Sequence, residues 1–354
     1  MTKTAPNRDK EPALPLPNKF AAHRCREAET VLELSKLPTL DAAWKNSQRL
    51  LQQISQRLHA STLNPRILTV VASGSLGRME AVAGSDGDLI VVLSDEITTD
   101  SPQVQQAWDS VWEALGPLEL PHSRRGGIFA IPTTPAALCA VDARGKIDED
   151  IPTFGKRFQL FCDAQPVYGT VAYEQLMTNV IRWYTASTPG DATIPWWRYL
   201  LNDLFRYYRS MCVAAQWDRS HGPGFQRMRN FKHAHSRAVM YAGLLCLLGA
   251  CSQIKQHPQQ QFQAMLRLTP LERLAWSCQL AQDADMMAIT AIYECYLEKL
   301  DDPTFRQTLL DDDLTEDHDV DWVRSGHNLR NELSRFLNER RQQWDPEFAA
   351  ALWL

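Results

Sequence analysis

No Cys-x-x-Cys pair and no Cys/His cluster at zinc spacing occurs among the eight cysteines (Cys25, Cys139, Cys162, Cys212, Cys246, Cys251, Cys278 and Cys295), which argues against structural zinc and dithiol redox chemistry. Most of them sit in apolar, helix-like stretches, where free cysteine behaves as a small buried hydrophobe, so a reducing cytoplasm is expected. A basic excess is missing as well. The 37 Lys and Arg against 42 Asp and Glu give a net charge of −5. With no global positive field, a nucleic-acid substrate is disfavoured, although a local basic groove stays open. Long apolar runs are lacking too: the longest, Ala242 to Ala250, is far short of the ~20 residues that span a bilayer, so no membrane partner is expected. The polar, proline-rich start has no signal-peptide core, and residues 1–18 are expected to be a disordered lead-in. No internal repeat is present.

A chain of 354 residues is long enough for two domains. Residues 24–59 carry helical spacing, with Leu50, Leu51, Ile54 and Leu58 three and four apart. Ile67–Ala72 and Asp88–Leu93 are β-branched runs bounded by glycine, and each reads as a buried strand. Ser101–Leu115 predicts a helix with Pro102 in its first turn. Gly127–Ile131 reads as a third strand ended by Pro132, Leu138–Val141 as strand or helix, and Phe154–Cys162 as helix. After Tyr173 the pattern is almost wholly helical. On the helix starting at Trp196, the residues Leu200, Leu204, Tyr208, Met211 and Ala215 share one apolar face. Asp311, Asp312, Asp313, Asp317 and Asp319 read as a solvated loop. The expected organisation is an α/β (α+β) domain over 19–170, with a short mixed sheet and N-terminal helices, then an all-α domain over 171–354.

The chemistry concentrates between the two strands. Ser73-Gly74-Ser75-Leu76-Gly77 leaves the first strand with small residues, so backbone N–H groups can approach a ligand closely. Such amides, leading into a helix, form a concavity suited to phosphate. Asp86 and Asp88 lie two apart at the start of the second strand and so face the same side. Two carboxylates at that range repel unless a cation sits between them, and hard oxygen ligands suit Mg²⁺, or Mn²⁺ in its place. A phosphate cradle beside paired carboxylates is what metal-assisted nucleotidyl transfer needs.

This segment, Gly74-Ser75 followed after about ten residues by Asp86-x-Asp88, resembles the DNA polymerase β-type nucleotidyltransferase superfamily. Gly77-Arg78-Met79-Glu80 and Ser85 make it similar to the PII-uridylyltransferase-like and CBS-associated members. The resemblance implies that Gly74 and Ser75 bind the triphosphate of an NTP and that Asp86 and Asp88 hold the metal. It also implies a supporting or nucleotide-contacting role for Arg78 beside Glu80. Related proteins carry a helix ending in an aromatic-Gly pair, matched here by Thr153–Arg157 and Tyr168-Gly169.

The superfamily usually adds a third carboxylate. Asp142, Asp148, Glu149 and Asp150 are the candidates, and Asp150, ahead of Ile151-Pro152-Thr153, is favoured. Arg198, Asn202, Arg206 and Arg209 form a polar stripe on one predicted helix, and Arg229, Lys232 and Arg237 recur downstream. From these, Lys232 and Arg206 are chosen as nucleotide contacts. His233 and His235 lie two apart on a helix and so do not share a metal. Trp196, Trp197, Tyr207 and Tyr208 suit core packing better than base stacking. The expected function is metal-dependent transfer of an NMP from an NTP to a hydroxyl on a protein or small molecule, with regulatory signalling suggested by analogy. The alternatives are a catalytically impaired nucleotide sensor and a toxin–antitoxin type enzyme acting on RNA.

Overall fold

The computed structural model describes residues 32–96, 101–122, 127–146, 148–185, 194–217, 222–281, 286–312 and 320–353. The lead-in at 1–18, the helical pattern before residue 32, Cys25, Asp313, Asp317 and Asp319 lie outside the described residues.

Helix α1 (Pro38–Ala60) begins at a proline that needs no intrahelical donor, and its last turn carries Arg57 and His59. Strands β1 (Ile67–Ala72) and β2 (Leu89–Leu93) follow where the β-branched runs place them, one residue from the expected start of the second. Next come α2 (Pro102–Leu115), α3 (Ile151–Cys162), β3 (Gln165–Tyr168) and α4 (Thr170–Thr185). The sheet order is β2-β1-β3, with β1 antiparallel to both neighbours. Beside these antiparallel pairings, Val92 makes an isolated parallel bridge to Thr133.

Both faces of the sheet are covered, which is why its strands read as continuous apolar runs. On one face Val70, Ala72, Leu89, Val91 and Leu93 pack with Leu51, Ile54 and Leu58 of α1 and Val104 and Val111 of α2. The alternate residues Val71, Ile90 and Val92 join the core of the helical half.

That half comprises α5 (Arg198–Trp217), α6 (Pro223–Lys232), a single π-helical turn (His233–Arg237), α7 (Ala238–Ser252), α8 (Pro258–Met265), α9 (Pro270–Leu280), α10 (Met287–Asp301), α11 (Pro303–Leu310), α12 (Val320–Arg341) and α13 (Pro346–Ala351). Helix α7 is apolar on every side because it is packed on every side. The run Pro223–Ser252 is long and apolar enough to cross a bilayer by length and composition, yet 78 % of its apolar window is buried inside the fold. At Gly243 an added Cβ would stand 2.4 Å from the Pro270 carbonyl oxygen, so α7 and α9 touch backbone to backbone. The halves are also tied across the sequence. Buried Glu294 of α10 accepts from the Thr39 and Leu40 amides at 2.6 and 2.9 Å, capping α1 where Leu37 offers no side-chain cap.

Three expectations need correction. Gly127–Ile131 is not a strand: the Ala130 amide closes a turn on the Gly127 carbonyl at 3.0 Å, and only Thr133, beyond Pro132, reaches β2. Tyr168-Gly169 ends a strand rather than a helix, and Gly169 (φ 65°) sits where an added Cβ would be 2.0 Å from the Leu68 carbonyl oxygen. On α5 the buried face is Leu200, Leu201, Leu204, Tyr207 and Ala215, whereas Tyr208 and Met211 are only partly covered.

Candidate active site

The antiparallel register pairs Ala72 with both Leu89 and Gln165. The end of β1, the start of β2 and the start of β3 therefore meet at one edge of the sheet. Gly74–Gly77, Asp86-Gly87-Asp88 and Asp163 are the segments flanking those ends, so topology alone brings them together.

The turn is held in an uncommon shape. Gly74 has φ 64°, and a Cβ placed on it would lie 2.3 Å from Asp88 Oδ2. The Asp88 carboxylate thus rests directly on the glycine, and the Ser73 amide donates to the Asp88 carbonyl at 2.8 Å. Ser73 leaves the following one-turn helix uncapped, because its hydroxyl donates to Asp163 Oδ1 at 2.6 Å instead. The first amides of the turn are therefore not consumed by a cap. Met79 takes φ 62° though it is not glycine. That conformation costs about 1–2 kcal/mol and is sustained by its surroundings.

Beneath the turn lies a buried polar network. Arg78 Nε donates to Glu80 at 3.1 and 3.2 Å, and its Nη1 donates to Asp163 Oδ2 at 2.6 Å. Gln159 Nε2 donates to Asp163 at 2.9 and 3.1 Å, and Tyr207 donates to Gln159 Oε1 at 2.6 Å. Tyr293 of α10 donates to Glu80. Burial alone would lower the Arg78 pKa, but Glu80 and Asp163 outweigh it and hold the guanidinium charged. Arg78 therefore meets Glu80 as an ion pair under the loop, and its Nε and Nη1 are already engaged by carboxylates.

Asp88 is half-buried, and its pKa is pushed up to about 7, first by burial and then by the charge on Asp86. A pair of carboxylates that holds a proton near neutrality is a donor set a hard divalent cation fits, since the cation can take the proton's place. Arg237, on the π-turn, acts on Asp88 in the opposite sense. Lys232 is exposed, yet close enough to feel the charges of both Asp86 and Asp88. Burial lowers its pKa, Asp86 and Asp88 work against that, and Arg237 and Arg78 add to it. Five residues span about 140° around an α-helix. In a π-helix, bonded i to i+5, they make roughly one turn. The π-turn at His233–Arg237 thus brings positions 232 and 237 nearer the same side than an α-helix would.

The other candidates fall elsewhere. Asp150 is exposed and caps α3, accepting from the Thr153 amide at 2.9 Å. The carboxylate at the sheet edge is Asp163, which the sequence reading missed because Pro166 disguises the short strand behind it. Asp142 and Asp148 are exposed, while Glu149 is buried in a pair with Arg157. Arg206 lies between Glu149 and Asp203, each at 3.4 Å, and over the Phe154 ring at 4.1 Å. Among the described residues no group of three or more His, Cys, Asp and Glu is placed to hold a metal. The site presents a carboxylate pair, with Asp163 adjacent but committed. His235 is buried against Tyr296, His233 stands 3.1 Å from the Cys212 sulfur, and Trp197 and Tyr207 are buried in the core. Asp312 of the acidic stretch accepts from the Gly224 amide at 2.7 Å.

Residues 38–132 match the family model described as Putative nucleotidyltransferase DUF294, which supports assigning this segment to a nucleotidyltransferase family. The matched stretch contains α1, β1, the Gly74 turn, both aspartates, β2 and α2. Helix α3, β3 and the helical half lie beyond it. No curated protein matches the chain.

Proposed function

We propose that this chain, with its nucleotidyltransferase-type segment at 38–132, moves an NMP from an NTP to a hydroxyl acceptor and releases pyrophosphate. The observation that carries this reading is the seating of the Asp88 carboxylate on Gly74, with Asp86 close enough to perturb it. Gly74 and Ser75 would receive the triphosphate on the turn's amides and the Ser75 hydroxyl. Asp86 and Asp88 would hold Mg²⁺ or Mn²⁺, which when bound withdraws charge from the phosphoryl oxygens. Lys232 and Arg237 would neutralise the phosphates from the helical side, at the developing charge on the leaving pyrophosphate. The acceptor oxygen forms a new bond to the α-phosphorus, the bond to the bridging oxygen of the β-phosphate breaks, and the hydroxyl proton is lost. The net charge of −5 favours a protein or small-molecule acceptor over a polynucleotide.

The test is incubation with Mg²⁺, each α-labelled NTP and a cell lysate as acceptor source. Label transfer or self-labelling is expected, and Asp86→Asn and Asp88→Asn should each reduce it by roughly 100-fold or more. Undiminished transfer in both variants removes the assignment.

A second reading is a nucleotide sensor that does not turn over. It is favoured by the commitment of Asp163 to Ser73, Arg78 and Gln159, which leaves no free third acid at the edge among the described residues. Saturable NTP binding with no transfer to any acceptor would select it.

A further inference from the structure

Away from the aspartates, α5, α7, α12 and the chain after α13 enclose a cavity of about 340 Å³, at the small end of the ~300–1,000 Å³ typical of small-molecule sites. Tyr208 and Tyr241 form one wall, their rings stacked 4.2 Å apart and 19° from parallel. That wall is fixed from behind: Tyr208 also stacks on His233 at 5.5 Å, and Cys212 lies 3.1 Å from His233 Nε2. Trp344 and Trp353 also border it, and Trp353 is 73 % exposed, a large apolar ring left in water.

The charges lining this cavity are of one sign. Arg209 and Arg341 border it, and among the described residues no Asp or Glu does. Neither arginine makes a salt bridge with a described residue; neighbouring Arg335, by contrast, is taken by Glu332 and Glu339. Arg341 lies over the Trp353 ring, 5.0 Å from its centroid, beside the surface a planar ligand would share. Aromatic walls with two guanidinium groups and no counter-charge match one kind of occupant. We infer that this cavity binds a small organic anion with a planar, apolar body, its acidic group held by Arg209 and Arg341. The inference does not depend on nucleotidyl transfer, because binding is read without it.

The probe is 8-anilinonaphthalene-1-sulfonate, titrated by fluorescence and calorimetry into the folded full chain, with uncharged N-phenyl-1-naphthylamine as control. One site is expected, with the sulfonate dye bound at least roughly tenfold more tightly than the neutral one. Replacing both arginines (Arg209→Gln with Arg341→Gln) should erase that difference while leaving the neutral dye unchanged. Ser334→Trp, made at an exposed lining position so that the core is untouched, should exclude both dyes. Equal affinity for the two dyes, sulfonate binding that survives the double variant, or binding that survives Ser334→Trp at unchanged melting temperature would each overturn the inference.

Discussion

Two glycines three residues apart in the same turn should respond differently to the same change, and the difference isolates what the turn does. At Gly74 an alanine would meet the Asp88 side chain, with its Cβ 2.3 Å from Oδ2 and 3.0 Å from Cγ. Restoring ordinary contact requires that carboxylate to retreat by about 1 Å. The φ of 64° adds a backbone penalty of about 1–2 kcal/mol for a non-glycine residue. The chain can absorb that and fold, because the obstructing atoms are the end of a side chain. At Gly77 the obstruction is main chain: an added Cβ would stand 1.8 Å from the Asp163 carbonyl oxygen and 3.1 Å from that of Ala72. Relief there means separating the turn from the start of β3, a loss on the order of 4 kcal/mol. Gly74→Ala should therefore keep a near-native melting temperature but lose affinity for Mn²⁺ in calorimetric titration, and label transfer should fall about 100-fold, the usual consequence of a 1 Å misplacement. Gly77→Ala should unfold early and lose everything together. Wild-type Mn²⁺ affinity and transfer in a folded Gly74→Ala protein would refute the placement of Asp88 as a ligand over the turn.

Two further outcomes concern the frame that holds this site. His235 is buried, stacked on Tyr296 at 4.8 Å, with Nδ1 against the Phe231 carbonyl at 2.8 Å, and burial first of all lowers its pKa to about 4. The unfolded chain then protonates before the folded one, so stability is full above about pH 6.5 and drains as pH falls toward 4, by about 3 kcal/mol. Urea titrations from pH 7 to 4 should show the slope, and His235→Asn should roughly halve it, because burial lowers the His233 pKa to about 4 as well; an unchanged slope would mean that other groups set the acid limb. Glu294→Ala removes the external cap of α1 and should cost about 1–2 kcal/mol by chemical denaturation, with Glu294→Gln recovering part of it. No loss in the alanine variant would show that water caps α1 equally well.

What the sequence disclosed follows from where the physical signal is local. Ile67–Ala72 and Leu89–Leu93 are legible because burial on both faces demands unbroken apolar runs. The Gly74 turn and Asp86-x-Asp88 are legible because their spacing states a geometry within fifteen residues. Asp163 was hidden for the opposite reason. Its partners are Ser73, Arg78 and Gln159, two of them some 85 to 90 residues away, and Gln165-Pro166-Val167-Tyr168 is too short and too proline-marked to read as a strand. Asp150 drew attention by standing before Ile151-Pro152-Thr153, a pattern whose physical content proves to be a helix cap. Arg206 shows the same limit: a polar stripe fixes a helix face but not what that face meets, and here it meets Glu149 and Phe154.

The arrangement also explains why the helical half is needed at all. The 38–132 segment carries the turn and both aspartates, but the groups that stabilise them come from elsewhere. Asp163, itself held by Gln159, anchors Ser73 and Arg78, Tyr293 and Glu294 of α10 hold Glu80 and the start of α1, and Lys232 and Arg237 bring opposite charge to the carboxylates. A domain cut at the end of the matched segment would leave Arg78 and Glu80 buried without Asp163 and Tyr293. Breaking a buried charge network by removing one side costs about 3–5 kcal/mol, comparable with the whole stability margin of about 5–15 kcal/mol. The aspartate pair is thus a property of both halves together. The π-turn between Lys232 and Ala238 bears on this, since an α-helical register there would set Arg237 about 140° round from Lys232.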